Sequence, residues 1–98
     1  MSQRFSFNGL ALQELREAAT FYSQESPKLG EAFLKEVERA LSQLREFPNS
    51  CPLVSRTVRK KVLRRFPYKI LYSLHSNEIR ILAIAHQKRR PFYWRGRR

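Results

Sequence analysis

The chain has 98 residues, is 42% hydrophobic and 29% charged, and carries a formal net charge of +12. That is enough apolar material for one small core, and it excludes a disordered basic tail. Its lone cysteine, Cys51, excludes an internal disulfide and argues against a cysteine-built zinc site, while no apolar run approaches the roughly 20 residues of a membrane span.

Arg4 and Asn8 interrupt the apolar residues near the N-terminus, so no secretory core is present there. These features predict a cytoplasmic protein with one domain over residues 1–98, ending in a basic tail at 87–98. No metal, cofactor or membrane is implied. The charge is divided unevenly. Residues 1–50 carry six Lys/Arg against seven Glu, whereas residues 51–98 carry fourteen Lys/Arg against Glu78 alone. Crowded like charges repel one another, so this imbalance points to an anionic partner, either nucleic acid or an acidic protein.

Residues 3–7 alternate as a short strand with Phe5 and Phe7 on one face. Asn8 is placed to cap a helix from about Gly9 to Gln24, with Ala11, Leu15, Ala18 and Tyr22 at helical spacing. Ser26-Pro27 is a second start signal. The helix that follows has an apolar stripe of Leu29, Phe33, Val37, Ala40, Leu41 and Leu44, and it stops near Phe47-Pro48. The short link between the helices predicts an antiparallel hairpin.

After a loop over 49–57 the period changes to two. Three strands are expected at Val58–Arg65, Tyr68–His75 and Glu78–His86, joined by short turns as a meander. A two-residue turn at Ser76-Asn77 sets His75 opposite Glu78, Ser73 opposite Arg80, Leu71 opposite Leu82 and Lys69 opposite Ile84. Strict alternation then collects Tyr68, Ile70, Tyr72, Leu74, Ile79, Ile81, Ala83 and Ala85 on the core face. It sends Lys69, Ser73, His75, Arg80 and His86 to the open face. The register of 58–65 stays open, because a one-residue slip exchanges Lys60 and Arg64 for Lys61 and Arg65. The expected architecture is α+β, in the order β-α-α-β-β-β, with a helix hairpin on one face of a small twisted antiparallel sheet.

Four stretches in this order resemble the RelE/ParE superfamily, the toxins of bacterial type II toxin–antitoxin pairs. They are AxxELxEAxxFY at Ala11–Tyr22, SPxLGxxFxxEVxxALxxLxxFP at Ser26–Pro48, LRRFPYKILY at Leu63–Tyr72 and IRILAIAHQKRRPFYWRGR at Ile79–Arg97. The resemblance implies a growth-inhibiting toxin held inactive by a cognate acidic antitoxin. Its target would be DNA gyrase, as for the ParE-like branch, or mRNA on the ribosome, as for the RelE-like branch. The His-x-x-Arg ending at His86–Arg89 and the incomplete cleavage set lean toward ParE. By the RelE-like pattern, Lys69 stands where that branch has a strand arginine, Arg89 at a later arginine and Tyr93 at a tyrosine, with His86 a candidate proton carrier. Lys69 cannot make the bidentate phosphate contact of an arginine. A non-toxic RNA-binding or ribosomal protein is the alternative from another class.

Lys60, Lys61, Arg64, Arg65, Arg80 and Arg90 are the further candidates for binding nucleic acid or an acidic partner. Part of each basic run must instead be solvated or guard a strand edge, since neighbours in a strand face opposite ways. Tyr93 and Trp94 either stack on a base or fold back over the core. Glu14, Glu17, Glu36 and Glu38 read as helix-surface residues that serve solubility and local pairing.

Overall fold

In the computed structural model, which describes residues 3–98, Asn8 ends one element and starts the next. Strand β1 covers Arg4–Phe7 and helix α1 covers Gly9–Glu25. The Asn8 side chain accepts the Leu10 N–H at 2.8 Å, satisfying one of the donors that a helix start leaves without a partner. Ser26 is the joint of the hairpin. Its N–H donates to the Tyr22 carbonyl to close α1, and Pro27 opens α2 (Pro27–Glu46) with a backbone already set for a first turn. The helices approach closely at Gly30, where an added Cβ would collide with Ser23 Oγ and lie 3.0 Å from Ser23 Cα. Helix α2 stops at Phe47, whose N–H reaches the Gln43 carbonyl, and Pro48 cannot prolong it.

Strands β2 (Val58–Val62), β3 (Tyr68–His75) and β4 (Glu78–His86) form the expected antiparallel meander, and the sheet order is β1-β4-β3-β2. Strand β1 pairs with β4 in parallel, so the sheet is mixed rather than wholly antiparallel. A four-residue strand carries no mark of its direction; that is set by where the helix hairpin returns the chain. Asn77 takes φ 61° in the turn between β3 and β4, a left-handed position that Asn tolerates.

The expected register holds for His75 opposite Glu78 and for Ser73 opposite Arg80, then slips. An extra residue in β4 at Leu82 sets Leu71 opposite Ala83 and Lys69 opposite Ala85. This bulge reverses the facing of the rest of β4. Ala83 and Ala85 turn away from the helices, while Ile84 and His86 turn toward them, contrary to simple alternation. The register of β2 is also decided: Lys60 pairs with Leu71 and Lys61 with Ile70. The strand ends at Val62, so Arg64 and Arg65 lie in the bend before β3 rather than in a strand.

Two apolar layers result. On the helix side, Phe33, Val37, Ala40 and Leu44 of α2 and Ala11 and Ala18 of α1 close over Ile70, Tyr72, Ile79, Ile81 and Ile84. Tyr22, Phe33, Phe66 and Tyr68 pack there largely edge to face. On the other side, Val58, Leu71, Leu82, Ala83 and Ala85 form a smaller patch covered by Trp94, which is only 6% exposed. Among the described residues, no helix is long and apolar enough to cross a membrane.

Candidate functional site: a basic sheet face and its C-terminal arm

Lys60, Lys69 and Arg80 share the sheet face turned away from the helices, because their partners in register alternate with the core positions. Arg80 is already engaged. Its Nε and Nη2 donate to Glu78 Oε2 at 2.9 and 2.6 Å, and Ser6 Oγ donates to the same oxygen at 2.8 Å. The Ser6 hydrogen bond, then that of Arg80, lowers the Glu78 carboxyl below its ordinary value. The single acid of the basic half is thus spent locally. Nearby, Ser73 Oγ and His75 Nε2 lie 3.0 Å apart.

Lys61 shares the face of Ile70, and the exposed Arg64 and Arg65 flank the bend at the far side of the sheet, with the Arg65 guanidinium 5.4 Å from the Phe66 ring centre. Arg90 is exposed on the turn after β4. Of these candidate cations, Lys60, Lys61, Arg64 and Arg65 therefore lie in or just after β2, Arg90 stands alone beside the arm, and Arg80 is near β1.

The arm, residues 87–98, folds back over the end of the sheet instead of extending into solvent. Trp94 seals the smaller apolar patch, so the covering role applies to it rather than base stacking. Tyr93 is half-buried. Its hydroxyl donates to Glu14 Oε2 at 2.8 Å, and its ring centre lies 4.0 Å from the Arg89 guanidinium and 4.9 Å from that of Arg97. Burial first, then the Glu14 contact, pushes the Tyr93 phenol well above its ordinary value. His86 packs edge-on against Tyr68 at 5.0 Å on the helix side, and its Nδ1 accepts the Lys88 N–H at 3.0 Å. Lys69, His86, Arg89 and Tyr93 all line a small cavity of about 100 Å³ at the end of β4, although Lys69 and His86 leave their strands on opposite faces. A second cavity of about 220 Å³ opens between α1 and the arm, beside Phe21, His86 and Arg89. Among the described residues, no group of three His, Cys, Asp or Glu side chains is placed to hold a metal.

Two glutamates assigned to the helix surface belong to the interior instead. Glu36 is 8% exposed and accepts Arg39 Nη2 at 2.5 Å and the Arg64 N–H at 2.9 Å. Glu14 is half-buried, and it accepts the Ile84 N–H, the Tyr93 hydroxyl and both Arg97 Nη atoms. The spacing held a signal for both. Glu14 falls between Ala11 and Ala18, and Glu36 between Phe33 and Ala40, so each interrupts an apolar stripe. A carboxylate at such a position needs a partner from elsewhere in the fold.

The family model for the ParE toxin of the type II toxin–antitoxin system parDE matches residues 5–91. The chain belongs to the ParE toxin family. No curated protein sequence gives a significant match. Among solved structures, a chain of the chromosomal ParDE toxin–antitoxin system of P. aeruginosa superposes with a TM-score of 0.74 at 19% identity, over 87% of this chain and 96% of that one. A free-state mutant of the E. coli toxin RelE superposes with a TM-score of 0.67, also at 19% identity, over 90% of this chain and 86% of that one. These neighbours share the fold of two helices on a four-stranded mixed sheet. Family membership assigns the toxin class over a ribosomal or general RNA-binding component, and it implies an antitoxin partner.

Proposed function

We propose that the toxin arrests growth by poisoning DNA gyrase, and that its antitoxin holds it inactive with an acidic segment laid against the basic sheet face. The observation that carries the choice of target is the state of Tyr93. Metal-free cleavage of RNA needs a group to take the 2′-hydroxyl proton, cations to hold the charge on phosphorus, and an acid for the leaving 5′-oxygen. Tyr93 already gives its proton to Glu14 in a hydrogen bond, and burial opposes its ionisation. Lys69 and His86 leave opposite faces of the sheet, so they offer no paired acid and base over the open face. The net charge of the basic half supports an acidic partner by simple Coulomb attraction.

Purified toxin in a gyrase supercoiling assay, run beside a ribosome-plus-mRNA assay, tests this directly. Inhibited supercoiling with intact mRNA is the expected result; cut mRNA with unaffected supercoiling overturns it. The RelE-like reading has one observation in its favour, the cavity lined by Lys69, His86, Arg89 and Tyr93. In that case, cuts between codon positions would disappear in Arg89→Ala.

A further inference from the structure

Strand β4 outruns its neighbour. β1 covers only Glu78–Ile81, and the last contact of that pair is the Asn8 N–H on the Ile81 carbonyl. Beyond it, the edge of β4 presents the Leu82 carbonyl and the Ile84 N–H with no strand among the described residues to meet them, although both residues are buried. Buried backbone groups of this kind need partners. Glu14 Oε1 accepts the Ile84 N–H at 3.1 Å, and Arg97 Nη1 donates to the Leu82 carbonyl at 3.2 Å. The two side chains also meet each other: Arg97 Nη1 and Nη2 lie 2.8 and 3.1 Å from the two Glu14 oxygens. Tyr93 is a third partner of the same carboxylate through its hydroxyl, and Asn8 Nδ2 donates to the Arg98 carbonyl at 2.7 Å.

One helix carboxylate thus joins α1, the open edge of β4 and the arm, across 70 to 83 positions of chain. The arm is held in a conformation it would not keep alone. Phe92 sits at φ 61°, a left-handed position that a bulky side chain rarely occupies, with Arg95 over its ring at 4.6 Å. Arg89, Arg90, Arg95 and Arg98 stand exposed around this fastened segment.

We propose that Glu14 is a positioning residue: it clasps the C-terminal arm against the sheet and so fixes the geometry in which the arm's arginines meet the toxin's target. This rests on the reading of the chain as an active toxin, but not on which target it attacks. Glu14 need not touch that target.

The test is Glu14→Gln in the full chain, which keeps the side chain's size and removes the charge that the Arg97 fork requires. Trp94 is the sole tryptophan, so its emission reports the arm directly. The expected result is a protein with wild-type far-ultraviolet circular dichroism and cooperative melting. Its Trp94 emission shifts to the red, trypsin cuts after Arg95 and Arg97 at least tenfold faster, and growth arrest on induction is weakened at least tenfold. Tyr93→Phe combined with Arg97→Gln removes the clasp from the arm's side and should reproduce the emission shift, the faster trypsin cut after Arg95 and the weakened growth arrest, even if Glu14→Gln folds poorly. An arm that stays protected in both variants overturns the proposal. So does lost toxicity with unchanged Trp94 emission, which would place Glu14 against the target itself. If the wild type arrests no growth, the functional reading fails, whereas the emission and trypsin measurements still decide whether the clasp exists.

Discussion

The two faces of the sheet are covered by different means. The helix side is closed by a seventeen-residue and a twenty-residue helix, whose apolar stripes cover a layer of isoleucines and aromatics. The opposite side is closed by a short arm that supplies one large apolar side chain, Trp94, and otherwise holds on through the polar contacts of Tyr93, Arg97 and Arg98. Burial of apolar area is non-directional and accumulates with every residue, so the helix side can carry the stability of the domain. Charge-assisted hydrogen bonds add less net stability but dictate geometry. The arm is accordingly the part whose position can change while the rest stays folded.

That comparison breaks most sharply at Phe33, which is fully buried and touches Phe66 and Tyr68. Phe33→Ala should cost about 3–5 kcal/mol and lower the single melting transition of the whole domain, as measured by denaturant titration. A smaller effect is expected on the other face. Trp94→Ala removes the main apolar cover of its patch and should cost about 2 kcal/mol, with the helix-side transition still cooperative in circular dichroism. Losses as large from Trp94→Ala as from Phe33→Ala would show that the arm carries as much stability as the helices.

The smallest effect concerns pH. Hydrogen bonds from Arg39, then from the Arg64 N–H, lower the folded-state pKa of Glu36 below its ordinary 4.5. Its contribution is therefore complete above that value and is lost as pH falls through the lowered folded value. Thermal midpoints between pH 3 and pH 7 should drop on acidification in the wild type and drop less in Glu36→Gln. Some slope remains in the variant, because Glu78 is lowered in the same direction.

Much of the architecture was legible in the chain. Asn8 and Ser26-Pro27 mark helix starts through local hydrogen bonding and a preset backbone angle, and helix periodicity marks the buried stripes. The turn at Ser76-Asn77 sets the first four pairs of its hairpin correctly, from His75–Glu78 to Tyr72–Ile81. The site was legible only in outline. Lys60, Lys69 and Arg80 do share the open face, but His86 does not, because the bulge at Leu82 inverts every later position of β4. No residue type there announces a bulge; the strand accommodates one when its two halves must pack against different neighbours. The roles of Glu14 and Glu36 were half-visible, since a carboxylate inside an apolar stripe signals a missing partner without naming it.

Sequence alone determined the elements, their order, the charge asymmetry and the resemblance to RelE/ParE toxins, because each rests on neighbours close along the chain or on composition. Tertiary structure alone decided the parallel seat of β1, the face of His86, the burial of Trp94 and the joining of Glu14 to Ile84, Tyr93 and Arg97. All four depend on contacts between separate elements, and the partners of Glu14 stand 70 to 83 positions away along the chain. They meet only after the helices have covered the sheet, when the unpaired end of β4 must find its donors and acceptors from whatever the fold has brought beside it.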